Sequence, residues 1–352
     1  MRKKILLYAP PYMDLYKDII QELTHMGYDV DYLEEMKDSE DPYNLRSRIY
    51  KQQDKAKSVE IFNSKLKGKW IDLLNNKYKL NYDYFLVLDG QAIHSCVFDI
   101  LRNRNSNLRC VNYLFDTSKV VYEFYHKFKY FDDVFSFDPN ECREYDLKYL
   151  PIYWVKGDNS KNNFTLFGFG AYIDTRFKLF RKLKEVADKY HFKSFLKLYQ
   201  YTSVKLNLIF YIKYYIRKIL GKNSQFSFSP SFLRSSMGTT LSFAPQKFRE
   251  YIYSSDIIID TCAEGQVGMT ARFMWALGAG KRIITNNTSV EKCDFYTSDQ
   301  IFIINDISKF SVSDDLIRFI TKGYKMPLAL RNKVDEYRID NWLQILLNNK
   351  KL

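Results

Sequence analysis

Histidine and cysteine are scarce: the 352 residues hold 4 and 5 of them. Cys96, Cys110, Cys142, Cys262 and Cys293 are odd in number, widely spaced and include no C-x-x-C pair. That pattern excludes a disulfide framework and a cysteine-based zinc site and fits a reducing cytoplasm. No D-x-D closes a strand, since Asp29-Val-Asp31 reads as lying inside one, so neither a metal nor any other cofactor is expected. The turn after the first apolar run lacks the G-x-G-x-x-G fingerprint, which removes support for a dinucleotide clamp there. That run, Ile5 to Ala9, is stopped by Pro10-Pro11 well short of a signal-peptide core, and no stretch approaches the length of a membrane span. The expected location is the cytoplasm, with the inner face of the membrane as the alternative.

What is present is a sizeable apolar fraction and a positive charge. Hydrophobic residues make up 46%, enough for two cores in a chain of this length. Lys and Arg number 54 against 41 Asp and Glu, a net +13 that favours acidic partners such as nucleotide phosphates, lipid phosphates or anionic surfaces. Nucleic acid is discounted, because no recognition module accompanies the charge.

Strand-like apolar runs alternate with amphipathic stretches from end to end. Ile5–Ala9, a helix over Leu15–Met26 closed by Gly27, and a strand from Tyr28 to Leu33 open a parallel βαβ unit. Further strands are expected at 84–88, 110–115, 134–137 and 149–153, with a helix over 92–103. The polar stretch 156–163 is the best linker, and a second series follows it. Its strands are expected at 164–170, 194–199, 256–260, 282–285 and 301–304, and its helices at 174–188, 204–220, 245–254 and 269–279, with closing helices near 313–322 and 338–349. The fold class is therefore α/β: two Rossmann-like domains facing across a cleft, with ligands at the carboxyl ends of the strands. The domain bounds are 1–152 for the first domain, 153–337 for the second, and 338–352 for a closing helix.

The most informative stretch runs from Asp260 to Thr285. A buried strand ends in Asp260, a glycine-containing loop opens a helix near Met269, and Arg272 lies in that helix's first turn. Backbone N–H groups at such a start, with an arginine beside them, suit a phosphate. A plain crossover needs Gly280 and the apolar positions, but not Glu264, Gln266, Gly268, Thr270 or Arg272. In Phe167-Gly168-Phe-Gly170 a strand runs into a two-glycine turn that lets a phosphate approach, with Arg176 placed to neutralise it.

The run Gln266-Val-Gly268-Met269-Thr270-Ala-Arg272, followed by Ala276-Leu-Gly278-Ala-Gly280-Lys281, resembles the nucleotide-sugar-binding unit of GT-B glycosyltransferases. More narrowly it resembles bacterial capsule and lipopolysaccharide glycosyltransferase-like proteins. Pro10-Pro11 with Tyr16–Ile20, Tyr113–Ser118, Phe135–Asp138 and Tyr337–Leu343 fit the same group, so the likeness spans nearly the whole chain. It implies transfer of a sugar from a nucleotide donor to a surface-polysaccharide or lipid-linked acceptor, without a metal. It also implies donor contacts from Gly168, Gly170, Arg176, Asp260, Glu264, Gln266, Gly268, Met269, Thr270 and Arg272. One position departs: where many GT-B enzymes carry a Glu that grips the donor ribose, this chain has Trp275. Either Glu264 or Asp260 takes over that contact, or donor binding differs, or activity is lost. The alternatives are accordingly a non-catalytic nucleotide-sugar-binding subunit of an assembly system, or a nucleotide-sugar epimerase on the same fold.

An inverting transfer needs a general base on the acceptor hydroxyl. Asp116 and then Asp89 are the candidates, ahead of Asp14 and His94, because both end predicted strands. The bland readings are a helix cap for Asp116 and an Asp-Gly turn for Asp89. In the basic helix 204–220, Lys213, Arg217, Lys218 and the following Lys222 alternate with aliphatic and aromatic residues. It reads either as a membrane-surface helix or as a core-facing helix with a basic back.

Overall fold

The computed structural model describes residues 2–35, 67–90, 93–117, 124–157, 163–200, 208–221, 228–241, 243–262 and 267–348. The chain divides into two compact units, Met1–Ile152 with Ile339–Leu352, and Tyr153–Arg338.

The first unit holds a six-stranded, all-parallel sheet in the order β2-β1-β3-β4-β5-β6. Its strands are β1 (Lys4–Ala9), β2 (Asp29–Glu34), β3 (Tyr84–Leu88), β4 (Arg109–Leu114), β5 (Asp133–Ser136) and β6 (Lys148–Tyr149). The continuous apolar runs of β1, β3 and β4 are almost wholly buried, as helix-covered parallel strands require. In α1 (Leu15–His25), Leu15, Ile19 and Leu23 recur every four residues and bury one face. Residues 67–76 form α2, and Cys96–Arg104 form α3. A short α4 (Pro139–Tyr145), not foreseen, is capped by Asp138, whose carboxylate accepts the N–H groups of Asn140 and Glu141, with Pro139 at its first position. The strand expected at 149–153 shrinks to a two-residue edge, because Pro151 has no N–H to give to a ladder.

The second unit carries another all-parallel sheet, ordered β12-β11-β10-β7-β8-β9. The strands are β7 (Phe164–Ala171), β8 (Ser194–Tyr199), β9 (Gly238–Thr239), β10 (Ser255–Asp260), β11 (Arg282–Thr285) and β12 (Ile301–Ile303). Counted from β7, that is the doubly wound order 3-2-1-4-5-6, whose switch point lies between β7 and β10. Its helices are α5 (Asp174–Lys189), α6 (Leu208–Ile219), α7 (Pro230–Arg234), α8 (Pro245–Tyr253), α9 (Ala271–Gly278), α10 (Asp314–Thr321) and α11 (Leu328–Asp335). At the end of α9, Gly278 faces the Trp154 ring, which a Cβ at 278 would meet at 2.2 Å. The Trp154 indole N–H donates to Val334 O at 2.8 Å.

The closing helix, α12 (Ile339–Asn348), belongs to the first unit. Trp342 sits edge-on to Tyr113, 4.7 Å between ring centres, and donates its indole N–H to Pro151 O at 3.0 Å. Arg109 on β4 donates to Leu347 O near the helix end.

Candidate functional site

The carboxyl ends of β7 and β10 flank the switch point of the second sheet, the place where open parallel sheets leave a ligand crevice. Asp260 ends β10 and is 1% exposed. Its Oδ1 accepts from Thr270 Oγ1 at 2.7 Å and from Arg272 Nε at 2.8 Å. Thr270 in turn accepts the Phe273 N–H at 3.1 Å, which caps α9. The helix therefore starts at Ala271, two residues later than Met269 suggested, because Thr270 takes the extended backbone of an N-cap. Arg272 also donates to the carbonyls of Phe169 and Thr261.

Arg176, near the start of α5, reaches the same place. Its guanidinium donates to Thr261 Oγ1, to Thr261 O at 3.0 Å and to Ala171 O. Burial and the neighbouring Arg272 cation lower its pKa to about 10, while Asp260 works in the other direction. Gly170 lies against both cations: a Cβ there would be 2.8 Å from Nη1 of Arg176 and 3.5 Å from Nη1 of Arg272. Two largely buried guanidinium groups thus share one carboxylate among the described residues, leaving excess positive charge beneath a glycine. An anion with several acceptor oxygens suits that arrangement.

The other expected donor-site residues are placed as follows. Gly168 is packed against Phe180 and Leu196, at 2.7 and 3.0 Å from where its Cβ would be, so packing accounts for this glycine. Met269 is 3% exposed, its side chain spent on the core. Gly268 is buried beside Asn287. Glu264 and Gln266 lie outside the described residues. Asp260 holds Thr270 and Arg272 through Oδ1. Trp275 is fully buried, edge-on to Phe248 and 5.4 Å from the Arg249 guanidinium. Its indole N–H is buried without an acceptor, and the position has no carboxylate with which to grip a ribose.

Asn286 and Asn287, just after β11, were missed. Asn286 Oδ1 accepts the Cys262 N–H at 2.9 Å, and Asn287 Nδ2 donates to Val267 O at 2.9 Å. Ser289 Oγ adds a bond to Val267 O at 2.7 Å. Together they hold both ends of the loop between β10 and α9. An Asn-Asn pair closing an apolar strand is the signal that pointed there.

In the first unit the carboxyl ends of β3 and β4 gather carboxylates instead. Asp89 follows β3 with a left-handed backbone, φ 58°, and is 8% exposed. Its Oδ1 accepts the N–H groups of Phe115 at 2.7 Å and Asp116 at 3.3 Å. Burial holds its carboxyl well above the usual carboxylate range, helped by the charges of Asp116 and Glu35. Asp116 is half-buried, and its pKa is raised by burial and then by Glu141. Glu35, itself buried, accepts from the Tyr8 hydroxyl at 3.3 Å. The structure thus joins Asp89 and Asp116 directly. His94 and Asp14 go elsewhere: His94 Nδ1 accepts the Cys96 N–H at 3.1 Å, and Asp14 pairs with Lys17 at 3.1 Å. Among the described residues, no group of three or more His, Cys, Asp or Glu side chains is placed to hold a metal.

No protein family and no curated protein matches the sequence. Solved structures do resemble the fold. A UDP-forming α,α-trehalose-phosphate synthase from Burkholderia vietnamiensis is 12% identical with a TM-score of 0.56, covering 99% of this chain and 96% of that one. A trehalose-6-phosphate protein from E. coli, bound with UDP-2-fluoro glucose, is 14% identical with a TM-score of 0.54, covering 99% and 98%. A UDP-N-acetylglucosamine 2-epimerase is 10% identical with a TM-score of 0.52, covering 100% and 98%. At these identities the likeness establishes the fold, that of the two-Rossmann proteins of GT-B architecture.

Proposed function

We propose that the chain is a glycosyltransferase that takes a sugar from a nucleoside diphosphate donor and passes it to a surface-polysaccharide or lipid-linked acceptor. The observation that carries the reading is the pair Arg176 and Arg272, largely buried beside Gly170 at the switch point, with Asp260 the one carboxylate that faces them among the described residues. Such a cradle matches a diphosphate in charge and in its demand for several N–H donors, and it needs no metal to stabilise the leaving group. The likeness to a structure bound with UDP-2-fluoro glucose supports a uridine nucleotide as the first donor to try. Asp116 serves as the general base or acceptor-positioning carboxylate, with Asp89 beside it, because a carboxyl with a raised pKa is the better proton acceptor near neutral pH.

The test is a titration of the protein with a panel of nucleotide sugars, followed by transfer assays on Asp116→Asn. Wild type should bind one donor class, and the variant should keep that affinity while turnover falls roughly a hundred-fold or more. A fully active variant would move the base to Asp89. The likeness to a 2-epimerase motivates a second reading, separated by its product: an isomerised nucleotide sugar formed with no acceptor present. Donor binding with neither product would leave the non-catalytic reading that buried Trp275 suggests.

A further inference from the structure

Helix α6 (Leu208–Ile219) buries none of its residues. Its half-buried side is aromatic, formed by Phe210, Tyr211 and Tyr214. The Arg234 guanidinium lies 5.8 Å from the Tyr211 ring, and the Tyr214 hydroxyl feels Asp174 and Lys178 of α5. That side rests on the second unit. On the opposite side, Leu208, Ile209, Ile212, Ile216, Ile219 and Leu220 recur at the spacing of a single helical face. They are exposed to 75, 61, 51, 51, 84 and 58%. A soluble surface rarely leaves so continuous an aliphatic stripe uncovered.

The charges beside the stripe decide what covers it. At about 100° per residue, Lys213 and Arg217 border it on one side and Lys218 lies beyond the other. A second copy docked stripe to stripe would set these cations beside their own counterparts. An anionic lipid surface answers both features, since acyl chains take the aliphatic side chains and headgroup phosphates take the cations. The helix is about 18 Å long at 1.5 Å per residue, too short to span a bilayer but suited to lying in its surface. We propose that α6 is an in-plane anchor that seats the second unit on anionic phospholipid bilayers. The inference stands apart from the sugar-transfer reading, and it would bring a lipid-linked acceptor within reach of that reading.

The experiment is co-sedimentation of the full chain with vesicles of phosphatidylglycerol and phosphatidylcholine in equal parts, against phosphatidylcholine alone. Wild type should bind the anionic vesicles at least about ten-fold more tightly. Ile212→Glu/Ile216→Glu/Ile219→Glu should cost about ten-fold or more on anionic vesicles. Because those side chains are exposed, the melting temperature and donor affinity should not change. Lys213→Gln/Arg217→Gln/Lys218→Gln should lower binding to anionic vesicles and leave the weak binding to neutral ones as it was. Wild type that stays in the supernatant overturns the proposal, as does undiminished binding by the triple Glu variant. A wild-type dimer that the same Glu substitutions split into monomers would assign the stripe to a second copy instead.

Discussion

At the carboxyl ends of β7 and β10, two guanidinium groups surround one carboxylate. At the carboxyl ends of β3 and β4, carboxylates crowd one another, with backbone N–H groups as the main relief. Both places are built the same way, from parallel strands that end together and loops that leave the sheet there. The sign of the buried charge is what differs. A site with surplus positive charge is incomplete until an anion arrives. A site with surplus carboxylate lowers its own energy by keeping a proton. Similar sheets therefore carry buried charge of opposite sign at their carboxyl ends, the contrast on which the proposed donor and base roles rest.

The contrast breaks most sharply at Asp260. Asp260→Asn keeps an oxygen for Thr270 and Arg272 but removes the one carboxylate that faces the two arginines among the described residues, so unfolding free energy should fall by about 3 kcal/mol. Urea melts would measure this, and inorganic phosphate should restore part of the loss. A fall below about 1 kcal/mol, or no response to phosphate, would show that the pair is not short of an anion. Gly170→Ala tests access without touching charge. The new methyl meets Nη1 of Arg176 at 2.8 Å, so that hydrogen-bonded guanidinium must shift; stability should fall by about 1–2 kcal/mol while nucleotide affinity drops about ten-fold. Unaltered affinity by calorimetry would move the ligand away from that glycine.

The smallest expected effect lies in the first unit. The folded state holds the Asp89 proton more tightly than the unfolded chain does. Its stabilising contribution is therefore complete below the ordinary carboxyl pKa and is lost as pH rises through the raised folded value. Asp89→Asn keeps an acceptor for the Phe115 and Asp116 N–H groups, and Asn tolerates the left-handed backbone. Variant and wild type should differ little at acid pH, and the variant should become the more stable of the two as pH rises. Denaturation midpoints at two pH values would expose the opposite trend.

The elements were legible wherever burial alone defines them. Tyr84–Leu88, Ser194–Tyr199 and Arg282–Thr285 are strands with the bounds their apolar runs suggested. The residues of the candidate site can be named from the sequence, but their bonds cannot. Arg272 and Asp260 are twelve positions apart across a loop and a helix start, a spacing with no periodicity to read, so their pairing appears only in three dimensions. Trp275 in α9 and Met269 in the loop before it lie near functional-looking residues in the chain, but both side chains are buried in the core. For 204–220 the apolar period was plain, yet a period tells that one face is apolar without telling what covers it. The described part of that helix has no buried residue, so the reading as a core-facing helix does not hold.

Gly278, part of the Ala-Leu-Gly run that carried the glycosyltransferase likeness, is fitted to the Trp154 ring rather than to any ligand. The two positions are therefore expected to vary as one. A lineage that enlarges residue 278 must first have shrunk residue 154, so among relatives the pair should change together or not at all. A chain that keeps this glycine but lacks a large ring at 154 must fill the space over the end of α9 in a different way.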